Sequence, residues 1–407
     1  MWEVRNITDD DIELFRKRID RAFGGDTNED PEAIERFKMV FANDRTFAAF
    51  DGEDIIGTGG ALSFDLTVPG GNTVAMGGTT IISVQPTHRR RGVLRALMTA
   101  HLDEVAGRSE PVAALWASES SIYSRFGYGP STYRHRVNLA TKRIRMRDAS
   151  IPGSVRLLEA EEAEPLMHQI YEGVRITRSG MLSRSDGWWH ARHIHENERG
   201  RDGKSKRRYA VYFEGEKPLG YATFRQKSHW EDFMPGGEVE LGEVITMNND
   251  AHRSLWSFLT NIDLFTDLEW WNVAIDDPLP DIITDPRQVK RTLADGMWVR
   301  IMDVAVALES RSYETDGSTI IEVSDDYRPS TSGVFEVVVE GGEAKCVATD
   351  QEPEVSMGID VLGHLYLGGG SAVTMAAAGR LAGSTESVVS LHRLLTTAAA
   401  PWCPEVF

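Results

Sequence analysis

Arg89, Arg90, Arg91 and Gly92 lie between a short β-branched run, Thr80 to Val84, and an apolar stripe of Val93, Leu94, Leu97, Met98, Leu102 and Val105. The run reads as a buried strand, and Pro86 ends it because proline cannot continue a sheet ladder. The stripe has helical spacing, so a helix is expected from Val93, with Gly107 as its stop. A strand, a basic-glycine turn and an amphipathic helix together make an anion site. The first helical N–H groups have no internal partners, and the helix dipole favours negative charge there. Gly92 would let a phosphate approach the backbone, and the arginines would add charge-assisted hydrogen bonds. A solvated basic surface is the plainer reading of the same residues. Val112 to Ala117 reads as the next buried strand, and SESSIYSRFGY follows it from Ser118 to Tyr128. Tyr123 there reads, on its own, as an aromatic anchor of the turn; Tyr128 reads as a packing residue after Gly127.

The elements that would position these residues occur twice. Arg45 to Leu62 and Arg208 to Phe224 each read as a β-run, an acidic-glycine turn and a second β-run, hence as hairpins. Downstream, the segment beginning at Gly78 matches the one beginning at Gly242, and His88-Arg89 falls on His252-Arg253 without a gap. Duplication of one strand-to-helix junction is the better explanation of both matches in the same order. In this register Trp256 stands where Gly92 stands in the first copy, so the second copy is expected to bind no such anion. The basic stretch Lys142 to Arg147, followed by Ile151-Pro152-Gly153, reads as the link between copies. Asn197 to Arg208 reads as a solvated loop, and Asp276 to Pro286 leads out of the second copy.

From Met297 the texture changes. Strands are expected at Ile301 to Leu308, Thr319 to Val323, Val334 to Val339 and Ala344 to Thr349, then a helical region from Val361 to about Thr397. The domains are expected at 1–150, 151–296 and 297–407, in an α+β architecture.

The chain of 407 residues is long enough for several cores, and its 41% apolar and 26% charged content excludes a wholly disordered polymer. Acidic residues outnumber basic ones 62 to 44, for a net charge of −18, which argues against general nucleic-acid binding. A negative field suits a cationic substrate; it also simply keeps a protein soluble. Cys346 and Cys403 match neither a metal pair nor a redox motif, so a reducing cytoplasm is expected. No metal is expected. The amino terminus carries acids where a signal peptide would have a basic start, and Val361 to Gly379 is a poor membrane span because His364 and three glycines interrupt it.

Strand–RRRGV–helix followed by strand–IYSRFGYG resembles the GNAT N-acetyltransferase fold. The fuller set resembles the Eis (enhanced intracellular survival) family over essentially the whole chain: VQPTHRRRGVLRALM, SIYSRFGYGP, a degenerate second copy and the ending PWCPEVF. The resemblance implies two tandem GNAT-like domains, the second degenerate, and a C-terminal domain like sterol carrier proteins. It implies acetyl-CoA as co-substrate, held by Ile82, Ser83 and Val84, by Arg90, Arg91, Gly92, Val93, Leu94 and Arg95, and by Ser118 and Glu119. Tyr123 matches the general acid, and the carboxylate of Phe407 matches the base. A tyrosine with a pKa near about 10 can donate to a thiolate of about 8.5, and backbone amides near Ile82 to Val84 could polarise a thioester carbonyl. Asp26, Glu29 and Asp30 fall in the region that forms one wall of the acceptor site, with Asp26 the best candidate to hold an amine; a solvated loop with Asp30 or Asn28 capping the next helix is the alternative. Glu405 would add negative charge beside the terminus and, with Asp26, is expected to bind the substrate. The implied acceptor is an aminoglycoside or polyamine, with peptide lysine second and a lipid carrier third; the implied assembly is a homo-oligomer, a hexamer in the family.

Overall fold

A computed structural model describes residues 2–25, 32–147, 152–196 and 201–407. Two seven-stranded sheets dominate it. In spatial order the first contains Glu3–Asn6, Thr46–Asp51, Asp54–Thr67, Thr73–Val84, Val112–Trp116, Met297–Ile301 and Gly129–Pro130. The second contains Lys290–Asp295, Tyr133–Ala140, Phe265–Ala274, Gly237–Thr246, Lys217–Lys227, Arg208–Glu214 and Ser154–Leu158. Both expected hairpins are present, at Thr46–Thr67 and Arg208–Lys227. Each sheet has one parallel pair, Thr73–Val84 with Val112–Trp116 and Gly237–Thr246 with Phe265–Ala274.

Strand pairing crosses the expected boundaries at 150 and 296. Tyr133–Ala140, counted with the first copy, lies between Phe265–Ala274 and Lys290–Asp295 of the second sheet. Met297–Ile301, counted with the third region, lies between Val112–Trp116 and Gly129–Pro130 of the first. The first sheet thus borrows a strand from chain that follows its own core by sequence, and the second borrows one from chain that precedes its core.

The third sheet has five strands, in the order Glu343–Ala348, Gly333–Glu340, Gly317–Ser324, Val355–Gly358 and Leu381–Gly383. The expected strand at Ile301 to Leu308 is not formed beyond Ile301. Val304–Ser310 is helical, and Asp303 caps it by accepting the Val306 N–H at 3.0 Å. The helical region after Val361 is three helices, Ile359–Tyr366, Ala372–Ala377 and Thr385–Leu395, with Leu381–Gly383 as a strand between the last two. Ser371 and Ser384 start the later helices by side-chain capping. No helix among the described residues is long and apolar enough to cross a membrane.

One apolar core joins the third region to the first sheet. It runs from Phe64, Met76 and Ala114 through Val299 to Ile321, Leu362 and Leu365. The helix Ile359–Tyr366 lies so close to Met297–Ile301 that a Cβ at Gly363 would sit 2.2 Å from the Val299 carbonyl oxygen. His364 Nδ1 lies 2.5 Å from the Pro130 carbonyl oxygen.

Candidate active site

The two parallel strands of the first sheet pair at Met76–Val112, Gly77–Ala113 and Gly78–Ala114, and then part, although the first strand runs on to Val84. A bulge bends it further: between Thr58 and Gly60 the register slips, so Ile81 and Ile82 together oppose Gly59. Ile81 takes φ 49°, a conformation costly for a β-branched residue. Thr58 holds the bulge, its hydroxyl 2.7 Å from the Ile81 carbonyl oxygen and 2.7 Å from the Ser83 hydroxyl.

The opened wedge leads into a cavity of about 840 Å³. The strand end supplies Ile82, Ser83 and Val84. The helix start supplies Arg90, Gly92, Val93, Leu94 and Arg95, and the following turn supplies Ser118, Glu119 and Tyr123. Arg91 is exposed beside the cavity and does not line it. The helix Val93–Gly107 begins at Gly92 with φ 85°, and no side chain caps it. Its first amides therefore remain available to an anion. A Cβ at Gly92 would meet nothing, so the glycine is required by its backbone angle and not by crowding. Arg89 of the basic turn also lines the cavity, and Arg125 adds positive charge that the sequence reading did not single out.

Tyr123 ends the short helix Ser120–Tyr123, is 7% exposed and lines the cavity. Burial raises its pKa above the ordinary tyrosine value; a hydrogen bond with Ser118 acts against this, and the Glu119 charge acts with it. The Tyr128 ring packs edge-on against it at 6.3 Å. Tyr128 itself is fully buried and committed elsewhere, its hydroxyl 2.7 Å from that of Thr79, which is 2.5 Å from His101 Nε2. Burial pushes the His101 pKa down to about 3, with the Arg45 and Arg300 charges adding to the effect. The turn is locked from behind: Gly127 takes φ 83°, and a Cβ there would collide with the Arg300 guanidinium. Arg300, itself fully buried, donates to the Phe126 carbonyl at 2.5 Å and to Asp325 at 2.5 Å.

The chain's last residues are docked, with Trp402, Cys403, Glu405 and Phe407 all buried. The Trp402 N–H donates to the Ser179 carbonyl at 2.9 Å, and its ring lies edge-on to Trp270 at 6.2 Å. The Asn272 amide donates to the carbonyls of Cys403 and Pro404, at 3.1 and 3.2 Å. Phe407 is buried with its ring 5.2 Å from that of Phe64, against Gly78. Gly77, one residue earlier, faces Val105 of the helix, so Phe407 lies on the opposite face of the strand; it is not among the residues that line the cavity. Thr79 then links that strand to Tyr128, on which Tyr123 packs.

Glu405 differs from its expected place beside the substrate. It is 3% exposed, too little for an acceptor to reach, and its carboxylate is bonded to Arg184, to the Trp188 ring N–H at 2.6 Å and to His193 at 3.3 Å. Burial alone would raise its pKa; the Arg184 charge, then His193 and Trp188, prevail and hold it well below the carboxylate range. Arg184 is shared with Glu243 at 2.7 Å. Asp26, Glu29 and Asp30 lie outside the described residues.

An acetyltransferase (GNAT) domain profile matches residues 3–131, a second profile of the same description matches 180–301, and a sterol carrier protein domain profile matches 304–404. The N-acetyltransferase Eis of Mycobacterium tuberculosis is 34% identical over 367 residues, covering 86% of each chain. This chain belongs to the Eis family of GNAT-type N-acetyltransferases. An uncharacterized N-acetyltransferase of Streptomyces avermitilis is 36% identical over 408 residues, covering 100% of this chain and 99% of its own. The crystal structure of Eis1 from Mycobacterium abscessus matches with a TM-score of 0.86 at 29% identity, covering 100% of both chains.

The second GNAT domain of this Eis-family enzyme keeps the fold and lacks the cradle. Its strand ends at Thr246 and its helix starts at Asn249, so the long basic junction of the first domain shrinks to Met247 and Asn248. The Asn248 side chain accepts the Ala251 N–H at 2.8 Å and so occupies the helix start. His252 and Arg253 lie inside this helix, so the gapless match to His88 and Arg89 is not a structural equivalence; Trp256 is a buried helix residue. Just past the last parallel pair of this sheet, the Trp270 ring has Trp256 at 6.1 Å and Trp402 at 6.2 Å. Two cavity residues of the first domain, Asp326 and Tyr327, come from the third domain and carry no sequence signal near the motif.

Proposed function

We propose that the enzyme transfers an acetyl group from acetyl-CoA to an amine of a small cationic acceptor, an aminoglycoside or polyamine, at one donor site per chain. The observation that carries this reading is the single cavity onto which the uncapped helix start at Gly92, the bulged strand at Ile82 to Val84 and Tyr123 all open. The residues fit the donor. Amides of the first helical turn with Arg90 and Arg95 would take the pyrophosphate, and Arg91 would add charge at the rim. Backbone N–H groups at the bulge would polarise the thioester carbonyl, and Tyr123 would give its proton to the leaving sulfur. The amine must be neutral to attack. We assign removal of its proton to the Phe407 carboxylate, and positioning of the amine to Asp26. The net charge of −18 supports a cationic acceptor. Assembly as a homo-oligomer, a hexamer, in the cytoplasm belongs to the same reading.

The test is release of free thiol from acetyl-CoA with a kanamycin-like aminoglycoside, a polyamine and a lysine peptide as acceptors. Fast release with the small polycations and slow release with the peptide is expected. Faster release with the peptide overturns the acceptor class, and release with none of a broad amine panel overturns the transfer itself.

A further inference from the structure

The third domain reaches the donor cavity through one turn, Asp325 to Arg328. The Asp325 carboxylate accepts the N–H groups of Tyr327 and Arg328 at 3.0 and 2.9 Å and also receives the buried Arg300. Because Arg300 also holds the Phe126 carbonyl, the turn is fixed against the segment that carries Tyr123. Asp326 and Tyr327 then line the cavity. The Tyr327 hydroxyl lies 2.7 Å from that of Thr99 and donates to the Arg95 carbonyl at 3.0 Å, while its ring meets Phe126 edge-on at 4.9 Å. The Arg95 guanidinium is 5.7 Å from the ring centroid. The ring is only half-buried, so part of it remains open to a ligand.

Thr99 and Arg95 also line a shallow groove of about 520 Å³ along the exposed flank of the helix, which shares Gly92 and Arg95 with the main cavity. The Arg328 guanidinium pairs with Asp103 at the groove's far end. A donor with its thioester at Tyr123 and its diphosphate at Gly92 has its remaining part, a nucleoside, beyond the helix start, where the main cavity runs into this groove.

We infer that Tyr327 of the sterol-carrier-like domain is a donor-binding residue that sets affinity for the nucleotide end of the acyl donor. This rests on the acetyl-CoA reading above. An aromatic ring offers a base a stacking face, an arginine beside it adds charge for phosphate, and base–aromatic stacking changes binding by about five- to a hundredfold. On this view the third domain completes the acyltransferase site, whatever apolar ligand its own fold could take.

The experiment compares two donors in the full chain, acetyl-CoA and S-acetylpantetheine, which lacks the nucleotide. Tyr327→Ala should raise KM for acetyl-CoA about tenfold or more, leaving kcat at saturating donor and the KM for S-acetylpantetheine near those of the unsubstituted enzyme. Tyr327→Phe, which keeps the ring, should retain most of the affinity. Equal losses with both donors would show a merely structural role and overturn the inference, as would unchanged acetyl-CoA affinity in Tyr327→Ala. If the unsubstituted enzyme binds neither donor, the acetyl-CoA reading falls, and the inference with it.

Discussion

Burial holds the Tyr123 hydroxyl above the ordinary tyrosine pKa, and the nearby Glu119 charge acts in the same direction. As a proton donor it must be neutral, so its contribution is present below its raised pKa and lost as pH rises through it. The rate with a fully deprotonated acceptor should therefore show no fall on the alkaline side until above about pH 10. Tyr123→Phe should lower kcat by about 10²–10⁴-fold while acetyl-CoA binding persists, as single-turnover and titration measurements would show. Tyr128→Phe should act on stability instead, because its hydroxyl serves the buried Thr79–His101 chain. His101 gives a separate linkage. Its folded pKa of about 3 lies below the unfolded value of about 6.5, so the folded state is favoured above that value and loses stability as pH falls toward 3. Replacing it by asparagine should flatten the dependence of Tm on pH between about 6 and 4, by up to about 1.4 kcal/mol per pH unit. The places of Tyr123 and Gly92 at the cavity were legible in sequence because motif and local backbone coincide. That of Glu405 was not: its partners Arg184 and Trp188 are 221 and 217 positions away, and no local spacing shows them.

At the scale of elements, the strand–turn–helix unit of the first domain differs from that of the second by the length of the turn. Sequence showed both junctions but placed the second in the wrong register, because one matched His-Arg pair outweighed the missing loop. The segment after Met297 misled in another way. Its apolar run from Ile301 to Leu308 fits a strand or a buried helix equally, and the Asp303 cap decides it. Gly92→Val should raise KM for acetyl-CoA about tenfold, since a side chain at this left-handed angle costs roughly 1–2 kcal/mol and shifts the amides of the helix start. Titration of the unsubstituted chain should give one donor site, because Asn248 already occupies the corresponding helix start in the second domain. Two equivalent sites would contradict this account of the second domain.

Across the whole molecule, the final residues join three domains: Trp402 and Glu405 contact the second, while Phe407 lies on the first sheet. Extending the chain past Phe407 should abolish most activity, whereas Phe407→Ala, which keeps a carboxylate there, should retain more; full activity in an extended protein would remove the carboxylate from the mechanism. Glu405→Ala removes one of the two carboxylates paired with the buried Arg184 and should cost about 3 kcal/mol or more, read as a lower Tm. The exchange of strands between the two sheets also bears on how the protein is made. While the chain is being synthesised, Val112–Trp116 has no partner on its outer side until Met297–Ile301 has left the ribosome. The nascent first half therefore carries an open apolar sheet edge, an invitation to aggregate or to recruit a chaperone. An acetyltransferase cut down to its donor-binding half would keep that edge for good.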